Sequence, residues 1–261
     1  MMRIHAVQAI THIQDLGRFG LRRFGIGHAG ALDTFERDTP FCITGALYEA
    51  DLDGEPVHSY WRHTARRGQT LTLTRAVQGM YGYLCVAGGF DVPEILGARS
   101  TDLKAAFGGW QGRCVQAGDE IPLGDGPRQL PRIGIAPIPL TNRIHALPSS
   151  EYAAFSDEAR QALWQQGWTL QSSSNRMGYR LQGRELALAQ PLEMLSHAVA
   201  FGTIQVPPAG QPLVLMADTQ TTGGYPKIAC VAAADLGRLA QVRFGGKIYF
   251  QTASTAQALK L

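Results

Sequence analysis

The sequence predicts a mainly β protein with a few short helices, and three observations carry that prediction. Glycine is abundant, 30 of 261 residues against the roughly 7% usual, and it has no collagen-like period, so it marks many tight turns. Short apolar or alternating segments bounded by turn residues recur along the chain, the signature of strands. Segments with helical periodicity are few and brief.

In chain order, residues 50–57 hold the pair Asp53-Gly54, the signal of a two-residue hairpin turn. Residues 69–75, QTLTLTR, alternate strictly, and 80–86 read as a further strand. Strands are also expected at 203–206, 212–217, 228–233 and 247–251. A helix is expected over 156–166, where Ser156 supplies an N-cap and Asp157 and Glu158 suit the positive end of the helix dipole. Shorter helices are expected at 233–241 and 255–259. Residues 124–139 carry four prolines and mark a boundary between a first β region, 1–125, and a second, 140–261.

Composition narrows the function. Hydrophobic residues make up 45% and charged residues 17%, an ordinary globular profile. A net charge of +3 without any Lys/Arg run argues against a nucleic-acid partner. No run of 18 apolar residues and no signal-peptide pattern is present, so the expectation is a soluble, cytoplasmic protein with no membrane partner. The four cysteines form no C-x-x-C, and Cys85 and Cys230, inside apolar runs, read as reduced core thiols. His58 and His63 are five apart, on opposite faces of a strand, so no metal site is expected.

Three polar segments carry the chemistry. Asp15, Arg18, His28 and Asp33 group on glycine-punctuated loops, a polar density that suits a site. The run GIGHAG at 25–30 fits the dinucleotide fingerprint but lacks the preceding buried strand and the βα alternation that motif requires. Residues 175–180 read as a strand, with Arg176, Gly178 and Arg180 on one face and Met177 and Tyr179 on the other. Two guanidiniums over a glycine make a fork for a carboxylate or phosphate.

The third segment is DTQTTGGYP, 218–226, between two apolar runs. Asp218 stands at the end of a buried strand, where a carboxylate must find a partner or take a raised pKa. Gln220, Thr221 and Thr222 supply an amide and two hydroxyls suited to a small polar ligand. Gly223 and Gly224 permit close backbone approach, Tyr225 is held extended by the following proline, and Lys227 is a cation beside an apolar strand. Residues 175–180 are expected to form the wall opposite this loop. His197 is a further candidate base.

The chain resembles the family of the bacterial 5-oxoprolinase C subunit, also called Kip antagonist or allophanate hydrolase subunit 2. That family is itself similar to the biotin-dependent carboxyltransferase domain of urea carboxylase. The resemblance rests on QDLGR at 14–18, GHAGALD at 27–33, VAGGFDVP at 86–93, STDL at 100–103 and GGWQGR at 108–113. It continues through SNRMGYRL at 174–181, Ser196-His197, QVP at 205–207 and LMADTQTTGGYP at 215–226. One departure follows Phe35, where on the order of 30 residues of the family pattern, about one helix and one strand with their connections, have no counterpart.

The resemblance implies cyclophilin-like β-barrel domains, partner subunits B and A, and ATP, with Mg²⁺, as the cosubstrate that drives opening of 5-oxo-L-proline to L-glutamate. A five-membered lactam resists water, and phosphorylation of its carbonyl oxygen would make it a better electrophile. On this reading Arg176 and Arg180 serve as anion stabilisers, while Asp218, Gln220, Thr221 and Thr222 orient the lactam or the water. Asn175, Tyr179, Gln205, Gly223, Gly224, Tyr225 and Lys227 complete the binding set, and Asp15, Arg18, His28, Asp33 and His197 form a second cluster. Two other readings stay open. One is carboxyl transfer, with biotin brought by another protein because no biotin-attachment segment is present; the other is a regulator that neutralises a kinase inhibitor.

Overall fold

A computed structural model describes residues 1–7, 11–14 and 38–260. These divide into two compact units, one ending at Pro139 and one starting at Leu140. Strands dominate both.

In the first unit, β1 (Met2–Arg3) pairs antiparallel with a strand near the unit's end, Glu120–Ile121. Its main sheet is built on β2 (Thr39–Leu52), which turns into β3 (Glu55–Pro56) through Asp53 and Gly54. Both turn residues have positive φ, 51° and 88°, the type I′ geometry whose twist matches the flanking strands. β4 (Arg62–Ala65) pairs with the start of β2, and β5 (Leu71–Val86) pairs with β2 along its length. The residue pattern suggests two strands where β5 is one. It is continuous because irregularities in the β2–β5 register, the first between Gly45 and Leu47, absorb the break. Gly45 is obligatory there: its φ is +78°, and a Cβ would lie 2.4 Å from the Tyr81 carbonyl oxygen.

Among the described residues this sheet is open. Its core gathers Phe41, Ile43, Val57, Ala65, Leu71 and Leu84, and a second cluster joins Met2, Ile4, Ile13, Phe90, Val92, Val115 and Ile121, where Glu120–Ile121 is β6. Cys85 corrects an expectation. The period-two alternation that buries Leu84 turns Cys85 outward, so it is exposed and not a core thiol, while Cys230 is half-buried.

The second unit is a closed seven-stranded barrel. Its strands are β7 (Arg143–Pro148), β8 (Trp168–Leu170), β9 (Gly178–Gln182), β11 (Thr203–Gln205), β12 (Leu213–Leu215), β14 (Lys227–Val231) and β15 (Lys247–Thr252). The two-stranded ribbon of β10 (His197–Ala198) and β13 (Thr222–Gly223) lies outside the barrel order. Around the barrel the order is β11-β12-β9-β8-β15-β7-β14, antiparallel except for β15 beside β7. Ile144, Trp168, Leu170, Tyr179, Leu181, Ile204, Val214, Ile228, Ile248 and Phe250 are buried, each contributing about 1.5–3 kcal/mol where a large apolar side chain leaves water.

The expected helices form as α1 (Asp157–Gln165), α2 (Ala233–Ala240) and α3 (Thr255–Ala258). Ser156 caps α1 by accepting from the Ala159 amide at 3.2 Å. Ser254 and Gln257 complete a reciprocal capping box on α3. In the first turn of α2, the fully buried Asp235 accepts from the His145 amide (2.7 Å) and pairs with its imidazole Nδ1 at 2.8 Å, tying the helix to β7.

Candidate functional site

The polar residues of the second unit converge on the loop between β12 and β14. Residues 175–178 form a tight turn, in which the Asn175 and Gly178 amides donate to each other's carbonyl oxygens, both at 3.1 Å. Asn175 Oδ1 accepts from the Met177 amide at 2.8 Å, a local bond that holds the chain out of strand geometry. β9 therefore starts only at Gly178, and the expected face carrying both Arg176 and Arg180 does not form. Arg176 leaves through the turn, and Arg180 stays exposed on the strand opposite Leu213.

Arg176 instead engages Asp218. Its Nε donates to Oδ2 at 2.8 Å and its Nη2 to Oδ1 at 2.9 Å, a bidentate pair with both side chains about a quarter exposed. The Asp218 amide also donates to the Arg176 carbonyl oxygen at 2.9 Å. Because β12 and β9 are hydrogen-bonded neighbours, the two segments lie side by side and not as opposite walls. The buried strand ends in a carboxylate because a guanidinium waits at the adjoining turn.

Downstream, Thr222 and Gly223 pair with Ala198 and His197. This ribbon brings His197 to Lys227, whose ammonium bonds imidazole Nε2. His197 Nδ1 lies 3.0 Å from the Leu195 carbonyl oxygen, which can only accept, so Nδ1 carries the proton and Nε2 receives the ammonium's hydrogen bond. Glu151 closes the group: Oε2 lies 3.5 Å from Lys227 Nζ and accepts from the Lys227 amide at 3.1 Å. Burial pushes the Glu151 carboxyl up, but the Ser150 hydroxyl, the Lys227 amide and the Lys227 charge outweigh it and hold the group below the usual range.

Gln205 is fully buried and donates through Nε2 to the Tyr225 carbonyl oxygen at 3.3 Å. Its Oε1 has no protein partner. Thr221 is half-buried and its carbonyl oxygen accepts from the Val199 amide at 3.0 Å, whereas Gln220, Thr222 and Tyr225 are exposed. Gly224 lies beside Ser196. Tyr179 is a core residue, fully buried with its hydroxyl on the Ala240 carbonyl oxygen at 3.0 Å, and does not line the group. Asp15, Arg18, His28, Asp33 and the glycines of 25–30 lie outside the described residues. The structure thus joins Arg176 to Asp218, His197 to Lys227, and Gln205 to Tyr225. It adds Glu151, which follows two serines after β7 and carries no sequence signal of its own.

The family model for the carboxyltransferase domain, subdomain A and B, matches residues 26–252. The chain is 53% identical to the 5-oxoprolinase C subunit of Haemophilus influenzae, covering all of this chain and 94% of the relative. The chain belongs to the 5-oxoprolinase C-subunit family. The family's Escherichia coli member is 43% identical to it over the same shares. The H. influenzae alignment runs over 290 positions against 261 residues here, so at least 29 positions of that family member have no counterpart, in keeping with the gap expected after Phe35. The solved Kluyveromyces lactis urea amidolyase matches all of this chain, and 19% of its own, with a TM-score of 0.90 at 23% identity; it shares the fold. Among the described residues no helix is long and apolar enough to cross a membrane.

Proposed function

We propose that the chain serves as the C subunit of a 5-oxoprolinase, acting with subunits B and A to open 5-oxo-L-proline to L-glutamate with ATP. The observation that carries this reading is the 53% identity to a 5-oxoprolinase C subunit over the whole of this chain. Its site is the group around the β12–β14 loop. Lys227 Nζ stands between His197 and Glu151 with one hydrogen-bond donor left over, and it receives the substrate carboxylate. The bidentate pair fixes the start of the loop, so that the Thr221 and Thr222 hydroxyls and the Gln220 amide meet the lactam in one orientation.

Magnesium nucleotide does not fit the described residues of this group. Its two carboxylates, Asp218 and Glu151, are each paired with a cation, and a magnesium site needs one or two carboxylates open to the ion. Among the described residues no group of three or more His, Cys, Asp or Glu side chains is placed to hold a metal. On this reading the nucleotide binds outside this group. Carboxyl transfer is the second reading, favoured by the description of the matching family model.

Co-expression with subunits B and A, followed by measurement of ATP-dependent glutamate release from 5-oxoproline, tests the reading. The wild-type complex is expected to release glutamate. Lys227→Met should raise KM for 5-oxoproline about 10-fold or more, as loss of a charged hydrogen bond does. Asp218→Asn should lower kcat/KM about 10-fold by loosening the loop. A wild-type complex that releases no glutamate but carboxylates an amide from carboxybiotin supports the second reading. Full activity in both variants overturns the site.

A further inference from the structure

Two cysteines of the first unit stand at an apolar cavity. The cavity encloses about 310 Å³ and is lined by Cys42, Cys85, Tyr60, Arg62, Leu130 and Ile133 among others. On the central strand β2, Cys42 lies directly opposite Cys85 of β5 on one side and Arg62 of β4 on the other. The Ala87 amide donates to the Pro40 carbonyl oxygen at 2.8 Å. Because antiparallel pairs alternate in type, Cys42 and Cys85, two residues further along, form a pair of the same hydrogen-bonded kind. Their Cα atoms are then about 5.5 Å apart, inside the roughly 4.4–6.8 Å range that disulfides span. The register thus sets the two thiols side by side across the β2–β5 ladder. Cys42 is half-buried and Cys85 exposed.

The pair is chemically unequal. The neighbouring Cys42 thiol holds the Cys85 thiol down at about 7 against the opposing effect of burial, with Thr44 assisting. The neighbouring Cys85 thiol, with burial, pushes the Cys42 thiol up, while Arg62 pulls it down. The exposed Cys85 is placed to attack a disulfide from solvent, and the half-buried Cys42 behind it to resolve the product.

We propose that Cys42 and Cys85 form a thiol–disulfide exchange site for low-molecular-weight disulfides that carry a carboxylate. Cys85, having released its proton to solvent, attacks one sulfur of the disulfide, forms a mixed disulfide and expels one thiolate. Cys42 loses its proton and attacks the Cys85 sulfur, closing the Cys42–Cys85 disulfide and expelling the second thiolate. The protein gives up two electrons and two protons, and the small disulfide becomes two thiols. Arg62 meets the carboxylate and the apolar wall takes the carrier's body. The closed bond clamps the β2–β5 register, and small thiols reopen it.

The test treats the full chain with oxidised glutathione and follows intact mass and a non-reducing peptide map. Wild type should become lighter by two hydrogens, with the peptides of Cys42 and Cys85 joined and no adduct retained. Cys42→Ser, and Cys42→Ala as its alternative, should each retain one glutathione on Cys85. Oxidised glutathione should outpace cystamine, which lacks carboxylates, and Arg62→Gln should reduce that preference about 5-fold, the factor expected for one charge contact in water. An unjoined wild type, first reaction at Cys114 or Cys230, or a rate preference unchanged in Arg62→Gln overturns the proposal.

Discussion

Asp119 shows how a single carboxylate supports the first unit. It accepts from Arg113 at 2.7 and 2.8 Å and from the Gln116 amide at 2.7 Å, and its side chain is 12% exposed. The Arg113 hydrogen bonds, against the effect of burial, lower its pKa from 3.8 to about 2. A depressed carboxylate pKa contributes stability that is full above the unfolded value and is lost as pH falls through the folded one. Asp119→Asn should therefore destabilise the chain by about 1–2 kcal/mol at pH 7. The difference from wild type should shrink as pH falls through 3.8 and vanish only below about pH 2. Urea denaturation at a series of pH values checks this. A constant difference across that series would count against the Arg113 pairing as its cause.

The β12–β14 loop shows how neighbouring elements set a site. Its two glycines are not equivalent. A Cβ on Gly223 would come within 2.6 Å of Gln205 Nε2, whereas one on Gly224 would meet nothing closer than 3.4 Å. Gly223→Ala must displace a fully buried amide, break its bond to the Tyr225 carbonyl oxygen and disturb the β10–β13 ribbon that carries His197. We expect it to cost about 1–3 kcal/mol, as overpacking does, and to raise KM for 5-oxoproline several-fold in the complex. Gly224→Ala should stay within about 0.5 kcal/mol of wild type. Thermal denaturation and steady-state kinetics on both variants distinguish a tight contact at one position from a general intolerance of the loop.

For the molecule as a whole, the likeness to proteins named as one subunit of 5-oxoprolinase predicts that the chain needs partner subunits for the reaction. The isolated chain should release no glutamate from 5-oxoproline and ATP, and activity should appear only when subunits B and A are added. Release by the isolated chain would overturn the need for partner subunits. The shortening relative to the H. influenzae family member, at least 29 positions, leaves the second unit's barrel strands and the β12–β14 group all present.

Local patterns were enough for much of the architecture. The Asp53-Gly54 turn, the Ser156 cap, the three helices and the strands around the loop were legible because each depends on residues a few positions apart, through backbone sterics, capping and side-chain alternation. The motifs at 174–181 and 215–226 contain Arg176 and Asp218, which the structure brings together. Which side chain meets which was not legible. Arg176 finds Asp218 42 residues away, Lys227 finds Glu151 76 residues away, and Cys42 finds Cys85 through strand register. Such partners are selected by barrel closure and by one-residue choices of register, which face every alternate side chain one way or the other. A turn at Asn175, held by its own side-chain bond, was enough to convert an expected two-arginine fork into an ion pair.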